Sequence, residues 1–310
     1  MSPKSVFQFG AVCCIWGTTW LVIRYQLGTV DPSWSIAYRF AVGGLALLAW
    51  CAVRGETLRI PRRGWGFVLL LAVLQFVLNF NFVYRAELFV PSGLVAVAFA
   101  LLMVPNAIFA KILLDRSITR RFALGSLLGI VGVGMLFAHQ FSLPGDRAAV
   151  ALGLSLTFAG ILCASFSNVM QATPLGRELP SLGALAWAML IGAAINAAIA
   201  SVVAGPPTWD WRPEYAAGVI MLGIVASALA FGLYFDLVRT IGPAEAAWTG
   251  IPIPIIAMAL STVFEDYRWS ALAIAGTVVA MIGLVIALRT PKPVSAADVP
   301  EPGRLRQAEG

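Results

Sequence analysis

Gln75 and Asn79 stand four residues apart in an otherwise apolar stretch. At that spacing two side chains share one face of a helix. In hydrocarbon, an amide without a hydrogen-bond partner costs several kcal/mol. The pair therefore points either to a polar cavity or to a contact between helices, and both readings stand at this level. Asn106 beside Pro105, Ser167 beside Asn168, and Tyr234 are polar groups in the same kind of setting. For a serine the plain alternative is a hydroxyl bonded to its own helix carbonyl. Trp16, Trp20, Phe99, Tyr234 and Trp248 add aromatic surface, and Trp16 and Trp20 again fall on one helix face. Such rings hold flat apolar molecules by stacking and attract an ammonium by cation–π contact. Pro105, Pro252 and Pro254 interrupt apolar segments. Each removes a helix hydrogen bond, so the freed carbonyls need partners or a water-lined wall, unless each proline marks only a packing kink.

Catalytic chemistry is not what these residues suggest. Cys13, Cys14, Cys51 and Cys163 lie in apolar segments without CxxC spacing, and His139 is the only histidine. That excludes a zinc site and gives no reason to expect a metal or any other cofactor. Glu87, Asp115, Asp236, Glu245, Glu265 and Asp266 fall near the ends of apolar segments, so neither an intramembrane carboxylate pair nor a mid-span proton carrier is evident. An enzyme is therefore not expected, and no group is evident that would carry protons.

The chain is 60% hydrophobic and 12% charged, half the charge of a soluble domain, so most of its surface must face lipid. Ten segments reach the length of about 20 residues that a spanning helix needs: 5–25, 33–53, 65–85, 92–114, 121–140, 149–171, 181–204, 215–238, 244–264 and 269–288. Linkers such as Asp31-Pro32, Pro61-Arg62-Arg63-Gly64 and Gly242-Pro243 separate them with helix breakers and caps. With the N-terminus inside, fifteen Lys and Arg fall in inside segments and four in outside loops, which puts both termini in the cytoplasm. The tail 290–310 is rich in Pro, Ala and Glu and is expected to be disordered.

The chain also repeats itself. When Asp115 is laid on Asp266, Gly125 falls on Gly276, Gly132 on Gly283 and Tyr84 on Phe235, without a gap. Each copy holds five spans, residues 1–145 and 146–289. Five is odd, so the second copy enters the membrane inverted. That is the symmetry by which one cavity opens alternately to either side. The expected fold is an all-α integral membrane protein of ten helices in two inverted five-helix repeats. In it, the second half rocks against the first around Pro252, and the glycine-rich last span of each repeat holds the halves together.

On these residues the chain resembles the drug/metabolite transporter superfamily in its ten-helix EamA branch. The resemblance rests on Ile15-Trp16-Gly17-Thr18-Thr19-Trp20, on Phe80-Asn81-Phe82-Val83-Tyr84-Arg85-Ala86 before Ser92-Gly93-Leu94, and on Gly232-Leu233-Tyr234-Phe235-Asp236-Leu237-Val238-Arg239. Gly242-Pro243-Ala244-Glu245-Ala246, Pro254 and Phe264-Glu265-Asp266 complete it. The first hinge, Asp115-Arg116, departs from the Gly-Glu often found in the family. Within the branch, the aromatic content and basic loops are similar to bacterial YddG-type exporters of aromatic amino acids. The resemblance implies an inner-membrane exporter of small metabolites, amino acids first among them. It would work by alternating access, with a small-molecule substrate and the lipid bilayer as partners, no nucleic acid, and a monomer as the working unit. Multidrug efflux of lipophilic cations and a non-transporting membrane sensor stay open as alternatives. Trp16, Trp20, Gln75, Asn79, Phe99, Asn106, Ser167, Tyr234 and Trp248 are the expected substrate contacts, and Pro105, Pro252 and Pro254 the expected gating breaks.

Overall fold

The computed structural model describes residues 1–241 and 246–289. The loop Gly242-Pro243-Ala244-Glu245 and the tail 290–310 lie outside the described residues. Ten helices are long and apolar enough to cross a membrane: α1 (Pro3–Gln26), α2 (Pro32–Arg54), α3 (Arg62–Ala86), α4 (Ser92–Leu114), α5 (Arg120–Ser142), α6 (Arg147–Gln171), α7 (Ser181–Val203), α8 (Pro213–Tyr234), α9 (Ala247–Phe264) and α10 (Ala271–Leu288). Their ends fall where the linkers carry caps. The Asp31 carboxylate accepts the Ser33 amide at 2.8 Å with Pro32 in the first turn, and Gly55 ends the same helix in a left-handed conformation, φ 68°. Asp146 accepts the Ala148 amide at 2.8 Å, and Thr119 and Ser270 accept the Phe122 and Ala273 amides at 3.2 and 3.1 Å.

The repeat is visible in the backbone. Asp115 and Asp266, the two residues on which the alignment was set, both take the left-handed conformation, φ 51° and 54°. Aspartate tolerates that region better than most non-glycine residues. The third helix of each half widens into π turns, at Ala72–Asn79 in α3 and Met221–Leu229 in α8. The fourth helix of each half tightens into a 3-10 turn, at Ala100–Leu102 in α4 and Ala247–Gly250 in α9. Packing follows the same exchange of halves. Helix α2 lies on α8 as α7 lies on α3, α1 on α9 as α6 on α4, while α2 meets α7 and α5 meets α10. The two repeats are therefore interleaved, not set side by side.

Helices α5 and α10 form a glycine clasp. A Cβ at Gly132 would stand 2.3 Å from the Ala280 amide nitrogen, one at Gly125 2.6 Å from the Gly283 carbonyl oxygen, and one at Gly276 2.7 Å from the Gly132 carbonyl oxygen. Backbones this close gain dispersion contacts that lipid, already apolar, does not compete away. Gly43 and Gly44 on α2 are crowded in the same way by α8 and α7. Gly10 is not: nothing lies within 4 Å of its Cβ position, so it takes no part in close helix packing.

Gly132→Val forces apart two backbones that have no room to give. The expected loss is about 1–3 kcal/mol, read as a lowered melting temperature of the purified protein in detergent. Gly134→Ala, where nothing lies within 4 Å, leaves the melting temperature unchanged.

Candidate functional site

The irregular turns of α3, α4, α8 and α9 face one another across a cavity of about 410 Å³ in the middle of the bundle. This is within the usual size range for a small-molecule site. Its lining runs from Ile23, Arg39 and Val83 to Ala247, the first residue of α9, and Leu288, the last of α10. The cavity therefore reaches the face of the bundle that carries Pro3 and Leu288, here the terminal face.

Each irregular turn has a local cause. A proline cannot donate to the carbonyl four residues back and its ring crowds that carbonyl. Pro105 acts on Leu101, within the tight turn of α4, while Pro252 and Pro254 act on Trp248 and Gly250, within that of α9. In the wide turns, freed carbonyls are met by side chains from other helices. The Trp16 indole donates to the Ala226 carbonyl at 3.0 Å, and Asn196 of α7 donates to the Phe76 carbonyl at 2.9 Å. Ser227 reaches back five residues to the Leu222 carbonyl at 2.8 Å. Such π turns occur mostly at functional sites.

Of the residues expected to contact substrate, Trp16, Trp20, Gln75, Asn79, Phe99, Asn106 and Tyr234 line this cavity. Trp20 and Phe99 form one aromatic pair, 5.1 Å between ring centres, and Trp16 with Tyr234 a second at 5.2 Å. Asn106 accepts from Ser165 at 2.7 Å. The Gln75 Oε1 and Asn79 Oδ1 oxygens are buried without a donor. Ser167 is not in the lining. It is fully buried and bonds the Cys163 carbonyl of its own helix at 2.9 Å, while the next residue, Asn168, faces the cavity. Trp248 is not in the lining either. In a 3-10 turn residues three apart eclipse, and Ala247, Thr249 and Gly250 take the cavity side. Pro254 lines the cavity; Pro105 is buried without lining it, and Pro252 opens the regular part of α9. Asn81, two residues from Asn79, falls on the other side of α3, where it donates to Asn196 at 2.6 Å and accepts from Ser33 at 3.0 Å.

Arg39, which is not among the expected substrate contacts, lines the cavity with 4% of its surface exposed. Its guanidinium stacks over the rings of Phe80 and Phe40, at 4.5 and 5.1 Å, both cavity residues themselves. The signal was available: a charge seven residues inside a spanning helix marks a functional site by default.

The opposite face is closed by charge. Glu265 accepts from the Ser92 and Ser261 hydroxyls at 2.5 Å and from the Ser92 amide at 3.2 Å, where a carboxylate complements the N-terminal dipole of α4. Arg24 of α1 lies 3.6 Å from Glu265 and donates to the Glu87 carbonyl. Three helices are thus tied at one point, with Gly93 pressed against Met258 and Ser261 below it. Glu87 ends α3, as expected, but is fully buried, and neither carboxylate oxygen has a donor. Burial holds its carboxyl well above the usual range; Glu265 raises it further, and Arg24 and Arg39 pull it back. At the terminal face the matching contact is exposed: Lys4 pairs with Asp236 at 2.8 Å, and Gln8 donates to the same carboxylate at 2.6 Å.

Comparison with known proteins agrees with this geometry. A model of the EamA-like transporter family matches residues 4–138 and again 151–289. The chain is 28% identical over 297 residues to Uncharacterized inner membrane transporter YedA of Escherichia coli (strain K12), covering 92% of both chains. It is 24% identical to Protein PagO of Salmonella typhimurium, covering 90% of each, and 23% identical to Protein PecM of Dickeya dadantii, covering 88% of each. A solved crystal structure superposes with a TM-score of 0.67 at 19% identity, covering 93% of this chain and 97% of that one.

Glu265→Ala unties the opposite face. A cysteine at Ala96, in an otherwise cysteine-free protein, should then react about tenfold faster with an impermeant maleimide added from that side. That corresponds to roughly 1.4 kcal/mol in the closing equilibrium. An unchanged rate with folded protein would mean that the Glu265 cluster does not hold the face shut.

Proposed function

Because the chain belongs to the EamA-like transporter family, we propose that it is a multi-pass inner-membrane carrier that exports small metabolites by alternating access, with aromatic and large apolar amino acids as the leading cargo. The observation that carries this reading is the mid-bundle cavity, where paired aromatic rings stand beside buried amide oxygens that lack donors. Rings suit a flat apolar side chain, and the amides suit a polar backbone group. The Lys and Arg distribution supports a cytoplasmic terminal face. On that orientation the present state is closed outside by the Arg24–Glu265 cluster and reaches inward, ready to load. The repeats 1–145 and 146–289 are the units that exchange roles, and one chain holds the whole cavity. Among the described residues no carboxylate lines the cavity, and its one arginine disfavours a cationic drug.

Proteoliposomes of the purified protein, loaded with an amino-acid mixture, test the reading. Selective efflux of aromatic and large apolar amino acids is expected with or without an imposed proton gradient; no efflux of any amino acid would contradict it. Gln75→Ala and Asn79→Ala should each lower that flux about tenfold, the worth of one hydrogen bond to a charged group, with the amount of folded protein unchanged. Normal flux in both would remove these amides from the site.

A further inference from the structure

Arg39 is a charge without a counter-charge. Its Nε and Nη1 are buried and have no acceptor. Among the described residues no carboxylate approaches its guanidinium within salt-bridge distance; the ion pairs belong instead to Lys4, Arg24, Arg63, Arg85 and Arg212. Its polar neighbour is the Tyr84 phenol. The Phe40 and Phe80 rings, whose centres are 4.7 Å apart, both lie to one side of the guanidinium, and neither supplies an acceptor to its N–H groups. A buried cation left this way costs several kcal/mol, so the arrangement is complete only when an anion arrives.

The same cavity offers the opposite polarity on the neighbouring helix. Gln75 Oε1 and Asn79 Oδ1, one turn apart on α3, are acceptors without donors. Phe80 follows Asn79 directly and carries the Arg39 guanidinium on its ring. The wide turn that spans these residues sets both amides toward the cavity.

We propose that Arg39 is the anchor for the carboxylate of the cargo, with Asn79 and Gln75 accepting from its ammonium, so that the cavity selects zwitterionic α-amino acids over cations. This rests on the transporter reading above. A planar guanidinium meets a carboxylate through two parallel hydrogen bonds, which fixes the orientation of the cargo as well as its charge. The amino-acid side chain then projects toward the Trp20–Phe99 and Trp16–Tyr234 pairs.

Counterflow in proteoliposomes with three probes tests this: L-phenylalanine, L-phenylalaninamide, which lacks the carboxylate, and 3-phenylpropionate, which lacks the ammonium. The wild-type protein should move L-phenylalanine fastest, 3-phenylpropionate more slowly and the amide least. Arg39→Gln should lower L-phenylalanine and 3-phenylpropionate flux by about tenfold or more, the loss of a charge-assisted pair, while sparing the amide. Arg39→Lys should restore part of the loss. Equal wild-type transport of L-phenylalanine and its amide would overturn the Arg39 assignment alone, as would an Arg39→Gln protein that moves L-phenylalanine normally or loses all three probes equally. If neither acidic probe moves while tetraphenylphosphonium does, the amino-acid reading itself falls. Should Arg39→Gln fail to fold, quenching of tryptophan fluorescence in the wild-type protein decides. Tighter binding of L-phenylalanine than of its amide is expected, and equal binding would overturn the assignment.

Discussion

Inside a bilayer every backbone N–H and C=O must find its partner within the protein, and this structure depends on where that demand is relaxed. All ten helices could have been regular at no cost to their lipid-facing sides. Instead α3, α4, α8 and α9 carry wide or tight turns that contribute residues to the cavity. Each leaves carbonyls to be satisfied, and in the wide turns the partners are specific: the Trp16 indole, the Asn196 amide and the Ser227 hydroxyl. The cavity and the broken helices are thus one feature. Filling the space would strand the freed carbonyls, and regular helices would close it.

The inverted repeat explains why such breaks come in pairs. Exchange of halves carries the π turn of α3 onto that of α8 and the 3-10 turn of α4 onto that of α9. The two closures are the exception. Arg24 and Glu265 meet in a partly buried cluster with three helix ends, whereas Lys4 and Asp236 meet in the open. An exposed pair contributes little, while a sheltered one resists separation. On the proposed alternating-access cycle, that imbalance favours closure at the Glu265 face, and the glycine clasp of α5 and α10 is the part proposed to stay fixed.

Much of this was legible in the chain because a membrane leaves few options. Ten spans followed from apolar length, their ends from caps such as Asp31 and Asp146, and the repeat from glycines that align in sequence, although in space the pairs cross, Gly125 meeting Gly283 and Gly132 meeting Gly276. The tight turns were legible at Pro105, Pro252 and Pro254. The wide turns were not, because a π turn needs no particular residue; it shows only through distant partners such as Trp16 and Ala226. Ser167 and Trp248 were misplaced for related reasons. One residue shifts a side chain by about a hundred degrees around a helix, and the 3-10 turn at Ala247–Gly250 changes the count again. Arg39 was passed over because its place near the end of a span hid that a buried charge needs its own explanation.

The central claim is that one cavity is served by two closures that open in turn. It is tested most directly by distances between spin labels in nanodiscs, with one pair placed across α1 and α9 at the Glu265 face and another across α1 and α8 at the Asp236 face. On adding a transported amino acid, the first distance should lengthen and the second shorten in the same population of molecules. Transport that proceeds while both distances stay fixed, or while both lengthen together, would contradict the account.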